Sequence, residues 1–288
     1  MDYRLRVHTI RPDIPLALPL KWTCPNCCKP LTKDGSSLRC EAGHCFDVAR
    51  EGYVNLLPAS RKRSKDPGDN REMIEARRRV HQAQLYRPLA EKISAWIEAI
   101  ADNDGIVLDL GCGEGYYTGV LQREASNLSI YGVDIAKPAI RLASRACPTV
   151  RFAVASSFSV PLADDSVNVA FSVFAPTGAD ELARLIRSRG YYLEVSPAPS
   201  HLWELRELLY EKPRPHEQVT RELPLFEHVD GQIVEFTLEL ADQQLGDLIA
   251  MTPYAYGGRR ENKARLTQLD SLQLQVSFAL NLYRRLPD

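Results

Sequence analysis

An excess of charge of either sign is missing from this 288-residue chain: 36 lysines and arginines face 37 aspartates and glutamates, leaving a formal net charge of -1. That excludes a general, charge-driven affinity for nucleic acid, so any such binding must come from a local patch. Long apolar runs are missing too. The N-terminal stretch carries only Ile14 to Leu20, broken by Pro15 and Pro19, which is neither a signal peptide nor a membrane span. With 44% hydrophobic and 25% charged residues, no disorder class fits. The composition suits one good-sized core with a small appendage. With no export signal, and thiols spaced as metal ligands, the expected compartment is a reducing cytoplasm.

Five of the seven cysteines and one of the six histidines lie between Cys24 and Cys45. Cys24-x2-Cys27, twelve intervening residues and then Cys40-x3-His44 set two ligand pairs at the spacing of a tetrahedral zinc knuckle. Pro25-Asn26 and Ala42-Gly43 bend the chain so that the ligands of each pair converge. No βαβ pattern adjoins the CxxC, which argues against a redox pair. Cys28 and Cys45 adjoin the ligands and could replace a neighbour, His44 being the first to yield. Beyond the knuckle, Arg61, Lys62, Arg63 and Lys65 form a basic run without an intervening acid. Asp66-Pro67-Gly68 signals a turn, and a helix capped near Asp69 or Asn70 follows. A basic hinge beside a zinc knuckle suits a phosphate backbone.

From Tyr86 onward, helical and strand-like stretches alternate. Leu89, Ile93, Trp96, Ile97 and Ile100 keep a helical period, and Ile106 to Leu110 reads as a buried strand. It runs into Gly111, Gly113 and Gly115, a G-x-G-x-G turn rather than G-x-G-x-x-G, and then into a helix that includes Tyr117. A second strand ends in Asp134, placed to accept both hydroxyls of a ribose lying over the turn. The same arrangement can serve NAD. Asp109 and Glu114, however, would repel a pyrophosphate and suit a ligand with a sulfonium and an ammonium, as S-adenosylmethionine has. Ser156 ends the third strand where an adenine edge would lie, and Phe174-Ala175-Pro176 ends the fourth, where substrate should meet the methyl group. Cys112 reads as a small packing residue. "LQLQVSFALNLYRR" alternates like the last strand of an antiparallel pair.

The stretches "CEAGHCFDVAREGYVNLLP", "KRSKDPGD", "LDLGCGEGYYT", "VASSFSVPLADDS", "VFAP", "HLWEL" and "MTPYAY" together resemble the bacterial 23S ribosomal RNA guanine-N1 methyltransferases of the RlmA type. The resemblance runs from about Cys24 to the C-terminus. It implies an α/β, class I (Rossmann-like) methyltransferase fold behind a small N-terminal zinc-binding domain that helps to hold an RNA hairpin. S-adenosylmethionine and a structural zinc ion are the cofactors it implies, and a homodimer is possible. The expected divisions are an extension over 1–21, a zinc-binding domain over 22–58, a basic hinge and helix over 59–85 and a methyltransferase domain over 86–288. The chain departs from the family in the extension, in Cys28 and Cys45, and in Ser188-Arg189-Gly190 where Pro-Gly-Gly is usual.

Cys24, Cys27, Cys40 and His44 are thus the expected metal ligands. Asp109, Gly111, Gly113, Gly115, Tyr117, Asp134 and Ser156 are expected at the cofactor. Guanine N1 holds its proton at neutral pH and is hidden by pairing, so an extruded base needs an aromatic wall and a route for that proton. Phe174 and Pro176 are the expected wall, and His201 could accept the proton or touch the RNA. Two other readings compete: a methyltransferase acting on a small molecule, which leaves the knuckle and the hinge without work, and a non-catalytic RNA-binding scaffold, against which the intact glycine turn with Asp109 and Asp134 argues.

Overall fold

The computed structural model describes residues 22–58, 69–103, 105–125, 127–216, 220–252, 254, 269 and 271–287. The N-terminal extension and Arg61, Lys62, Arg63 and Lys65 lie outside the described residues. Among the described residues, no helix is long and apolar enough to cross a membrane.

The zinc-knuckle segment forms a three-stranded antiparallel sheet, β1 (Thr32–Asp34), β2 (Ser37–Arg39) and β3 (Cys45–Asp47), in that order. Strands this short bury little, so the segment needs other anchors. One is β4 (Val54–Asn55), which pairs in parallel with β7 (Arg151–Val154) at the edge of the large sheet. Leu56 N–H extends that pairing by donating to Val154 O at 3.0 Å. Another is Trp22, buried and edge-on to Tyr131 at 5.0 Å, beside Thr23, whose N–H donates to Pro161 O at 2.8 Å. Trp22, Leu31, Leu38, Val54 and Leu56 therefore share one core with Tyr131, Val133 and Leu162 of the larger part.

The large sheet has eight strands in the order β10-β11-β9-β8-β5-β6-β7-β4. Strands β5 (Ile106–Leu110), β6 (Ser129–Asp134), β7, β8 (Val167–Val173) and β9 (Ile186–Pro197) run parallel, and the antiparallel pair β10 (Phe226–Ala241) and β11 (Ser271–Arg285) closes the far edge. β5 pairs with both β6 and β8, so the connections reverse direction beside it. A crevice opens at such a switch point, at the carboxyl ends of the strands.

Helices cover the sheet: α1 (Arg71–Gln82), α2 (Arg87–Ile100), α3 (Tyr116–Glu124), α4 (Lys137–Ala146), α5 (Ala179–Leu185), α6 (Trp203–Leu209) and α7 (Asp242–Ala250). The expected helical stripe of α2 buries Leu89, Ile93 and Ile97, each worth about 1.5–3 kcal/mol of transfer from water. Asn70 caps α1, its side chain accepting from Met73 N at 2.9 Å. α1 does not stay in a hinge. It buries Ile74, Ala76 and Val80, and Arg79 grips Asp247 of α7 with two hydrogen bonds of 2.8 and 2.7 Å.

Ser188-Arg189-Gly190 lies inside β9, whose register against β8 shifts at this point. The left-handed residue there is Arg189, with φ 63°, while a Cβ on Gly190 would meet the Asn168 carbonyl at 2.8 Å. The bulge thus keeps a glycine for close packing and places an arginine where L-residues are strained.

Glu51, on the loop before β4, is gripped by Arg141 and Arg145 of α4, both at 2.8 Å. The hydrogen bond from Arg141, aided by Arg145, outweighs burial and holds its carboxyl at about 2. A carboxyl depressed in the fold contributes stability above its unfolded pKa of about 4.3 and loses it as pH falls through the folded value. Glu51→Gln should therefore lower the melting temperature at pH 7, and the gap to the parent should close as pH falls from about 4 toward 2. Thermal unfolding across that range checks it.

Candidate functional site

Three glycines make the turn between β5 and α3, and each has a positive φ: 77° at Gly111, 55° at Gly113 and 82° at Gly115. A side chain at Gly111 would overlap the Ala175 methyl, and one at Gly115 would come within 2.9 Å of the Ala143 Cβ. At Gly113 the nearest atom to such a side chain is Arg77 Nη1 at 4.0 Å. The turn is therefore packed on two sides and open on the third, which is the side a ligand can approach.

Asp134 stands beside it at the end of β6. One carboxylate oxygen accepts the Gly113 amide at 2.9 Å and the other the Ala136 amide at 2.7 Å. Each oxygen keeps a second acceptor site for a hydroxyl, as a ribose requires. Burial raises the Asp134 pKa, while these two amides pull it down. Asp109 lies deeper, 2% exposed, accepting the Thr118 hydroxyl at 2.5 Å. Burial pushes its carboxyl up to about 7 against that hydrogen bond. Asp109 thus braces the turn from beneath through Thr118.

Glu114 is spoken for as well. It is in close contact with His81 Nδ1 of α1, and this outweighs burial to hold the carboxyl below its ordinary value. The His81 ring stacks on Tyr116 at 4.1 Å and meets Tyr117 edge-on at 5.6 Å. Tyr117, half-buried within this group, has its hydroxyl pushed well above the usual range by desolvation. Arg77 of the same helix pairs with Asp69 at 2.5 Å. Sequence reasoning missed Arg77 and His81. Their spacing, four apart on one helix face, was the available signal. Cys112 is buried, with its thiol raised far above the ordinary value by desolvation, as a packing residue should be.

The loops after β7 and β8 face the turn. The Ser156 hydroxyl accepts the Phe158 amide at 3.2 Å, and the Ser157 hydroxyl donates to Pro176 O at 2.7 Å, tying the two loops together. Phe174 holds a left-handed φ of 56° and is 44% exposed. Such strain in a bulky residue costs on the order of 1–3 kcal/mol and is characteristic of functional positions. Its ring lies 5.5 Å from Phe278 and 6.3 Å from His201. The loop is held from behind by Arg221, which donates to Thr177 O at 2.7 Å and to its hydroxyl at 3.0 Å. His201 is buried, and its Nδ1 accepts the Ser277 amide at 3.3 Å. Burial, with His216 and Arg206 nearby, lowers its pKa to about 3. With Nδ1 occupied, the neutral ring carries its proton on Nε2. His201 therefore has a donor to offer, and the geometry argues against it as a proton acceptor.

The sulfur and nitrogen atoms of Cys24, Cys27, Cys40 and His44 all lie within 4.8 Å of one another. Cys27 to Cys40 is 3.7 Å, His44 Nδ1 to Cys24 is 3.5 Å and to Cys40 3.3 Å. A tetrahedron with the usual zinc bond lengths has edges of about 3.8 Å between sulfurs and about 3.5 Å from sulfur to nitrogen. The donor set fits zinc. Burial raises the Cys40 pKa, but hydrogen bonds from His44 and Cys27 outweigh it and hold the thiol at about 6, close to the thiolate a metal needs. Cys28 and Cys45 are exposed and stand outside the cluster. Cys28 takes the left-handed position that closes the first turn, with φ 58°, and Gly43 takes it in the second, with φ 85°.

Two family patterns match the chain: the RlmA N-terminal zinc ribbon over residues 22–65 and a methyltransferase domain over residues 107–190. A Streptomyces fradiae protein named 23S rRNA (guanine(748)-N(1))-methyltransferase is 34% identical over 271 residues, 89% of this chain and 95% of its own. A Micromonospora griseorubida protein provisionally named a 23S rRNA (guanine-N(1)-)-methyltransferase is 33% identical, over 85% of this chain and 88% of its own. YxjB of Bacillus subtilis, provisionally named likewise, is 31% identical over 88% of this chain and 93% of its own.

Cys24→Ser should leave the purified protein with far less than one zinc per chain. Because the cluster shares a core with β4, the same change should also lower the melting temperature. Metal analysis beside thermal unfolding checks both.

Proposed function

The chain belongs to the 23S ribosomal RNA guanine-N1 methyltransferase family, and from that premise we propose that it transfers a methyl group to N1 of a guanine in a hairpin of 23S ribosomal RNA. When bound, S-adenosylmethionine supplies an electrophilic methyl group on a sulfonium. The observation that carries the reading is the contact between the glycine turn and the loop after β8. Gly111 lies against Ala175, so the donor turn sits next to the exposed ring of Phe174.

Each residue then has work to do. Asp134, its two oxygens fixed by amides, receives the ribose hydroxyls; Tyr117 and Ser156 flank the cofactor; Gly111, Gly113 and Gly115 let it approach the backbone. Asp109 secures α3 through Thr118 and so holds the turn in shape. Phe174 offers a face for an extruded guanine and Pro176 the edge of that wall, since an unpaired base is readily held by stacking. Fixing the base in line with the methyl group is worth orders of magnitude in rate. His201 supports Phe278 and presents Nε2–H to the wall or the RNA, and the N1 proton leaves to water. Cys24, Cys27, Cys40 and His44 hold zinc, and the module they clamp, with the basic run that follows, presents a surface to the RNA backbone. The setting is the cytoplasm, and a second copy of the chain could complete the RNA-binding surface.

A methyl group on N1 removes a pairing donor, so reverse transcriptase should stop one nucleotide before the modified base. Incubating the protein and S-adenosylmethionine with unmodified 23S RNA should give a donor-dependent stop at one hairpin guanine, with 1-methylguanosine seen by mass spectrometry. Transfer to another atom, or only to small molecules, would overturn the proposal. So would an absence of transfer when the cofactor binds.

A further inference from the structure

S-Adenosylmethionine carries three charged or strongly polar handles besides its ribose: a sulfonium, an ammonium and a carboxylate. Glu114 and Asp134 stand at the turn, so the acids around it suit the cations and repel the carboxylate. A negative group entering here needs a fixed positive partner.

Helix α1 supplies one. Its Arg77 is the residue nearest the open side of Gly113, with Nη1 4.0 Å from the point a side chain there would occupy. The side chain is about one-quarter exposed and is held by Asp69 at 2.5 Å, while its contact to Met251 O is a long 3.5 Å. A guanidinium has five N–H donors in a rigid fork, so one acid at one edge leaves donors for a second. The helix that carries it is fixed independently: Asn70 caps it, Arg79 grips Asp247, His81 meets Glu114, and Ile74, Ala76 and Val80 are buried.

The placement also fits the direction in which the ligand must lie. With the ribose at Asp134 and the methyl group turned toward Phe174, the amino-acid chain has to cross the glycine turn, and Arg77 overhangs its open side. His81 is taken by Glu114 and the rings of Tyr116 and Tyr117.

We infer that Arg77 receives the carboxylate of the cofactor's methionine moiety, with Asp69 holding the guanidinium in place for it. Arg77 is thus the residue by which the site distinguishes an amino-acid sulfonium from a simple amine. The inference rests on the cofactor and not on the RNA, and its test needs no RNA, so it can fail while the proposed methyl transfer stands.

The test compares S-adenosylmethionine with its decarboxylated form, which keeps the sulfonium and the ammonium, by calorimetric titration of the zinc-loaded parent and of Arg77→Gln, which keeps most of the packing and loses the charge. A charge-assisted pair of hydrogen bonds predicts that the parent prefers the carboxylated ligand by about 10-fold or more. In Arg77→Gln the preference should fall to about 3-fold or less, through weaker binding of S-adenosylmethionine and little change for the decarboxylated form. Arg77→Ala should behave alike. A parent without preference, a variant that keeps it, or a variant that loses both ligands in equal measure would overturn the assignment.

Discussion

The missing side chain of Gly111 is the constraint on which the site depends. Because that position has no Cβ, Ala175 of the loop after β8 can rest against the turn after β5, and two loops from opposite sides of the switch point become one surface. The glycine turn and the exposed ring of Phe174 are neighbours for this reason. Every other feature of the site secures one side of that contact. Asp134 fixes the turn through the Gly113 amide, and Asp109 fixes the start of α3 through Thr118. Arg221 and the Tyr192 hydroxyl, 3.0 Å from that of Thr177, fix the loop that carries Thr177. Strain at Phe174 is sustained because the loop is pinned on both sides.

The zinc module belongs to the same mechanical unit. A knuckle of three-residue strands has too little core to stand alone, and this one borrows the edge of the large sheet through β4 and the core around Tyr131 through Trp22. Glu51 adds a charged tie to α4. The metal therefore stabilises a piece of chain whose last strand is also the last strand of the catalytic sheet. The module is thereby held at a fixed position relative to the glycine turn.

What could be read from the sequence was whatever local spacing encodes. The ligand pairs Cys24/Cys27 and Cys40/His44, the strand Ile106–Leu110, the turn and the end of β6 at Asp134 all stand where periodicity and glycine spacing put them. β10 escaped because it is an edge strand, exposed over most of its first half, so its alternation is weak. β4 escaped because two residues carry no period, and its partner lies far along the chain. The roles of Asp109 and His201 depend on single tertiary hydrogen bonds, from Thr118 and from the Ser277 amide, which no pattern announces. The charge-rich helix α1 looked like an extension of the basic run. It packs beside the glycine turn through His81 and Glu114, since Ile74, Ala76 and Val80 were enough to bury one face.

The central claim, that donor turn and acceptor loop are kept in register by the Gly111–Ala175 contact, is tested most directly by exchanging the methyl group across it. Gly111→Ala should cut methyl transfer to 23S RNA by about 100-fold or more, the order expected when reacting groups are displaced by about 1 Å. Adding Ala175→Gly frees the space while leaving the backbone strain at residue 111 unchanged. The double variant should therefore recover a substantial part of the rate, about 10-fold over the single variant, when both are assayed at saturating S-adenosylmethionine. A double variant no faster than Gly111→Ala alone would show that the contact does not set the register.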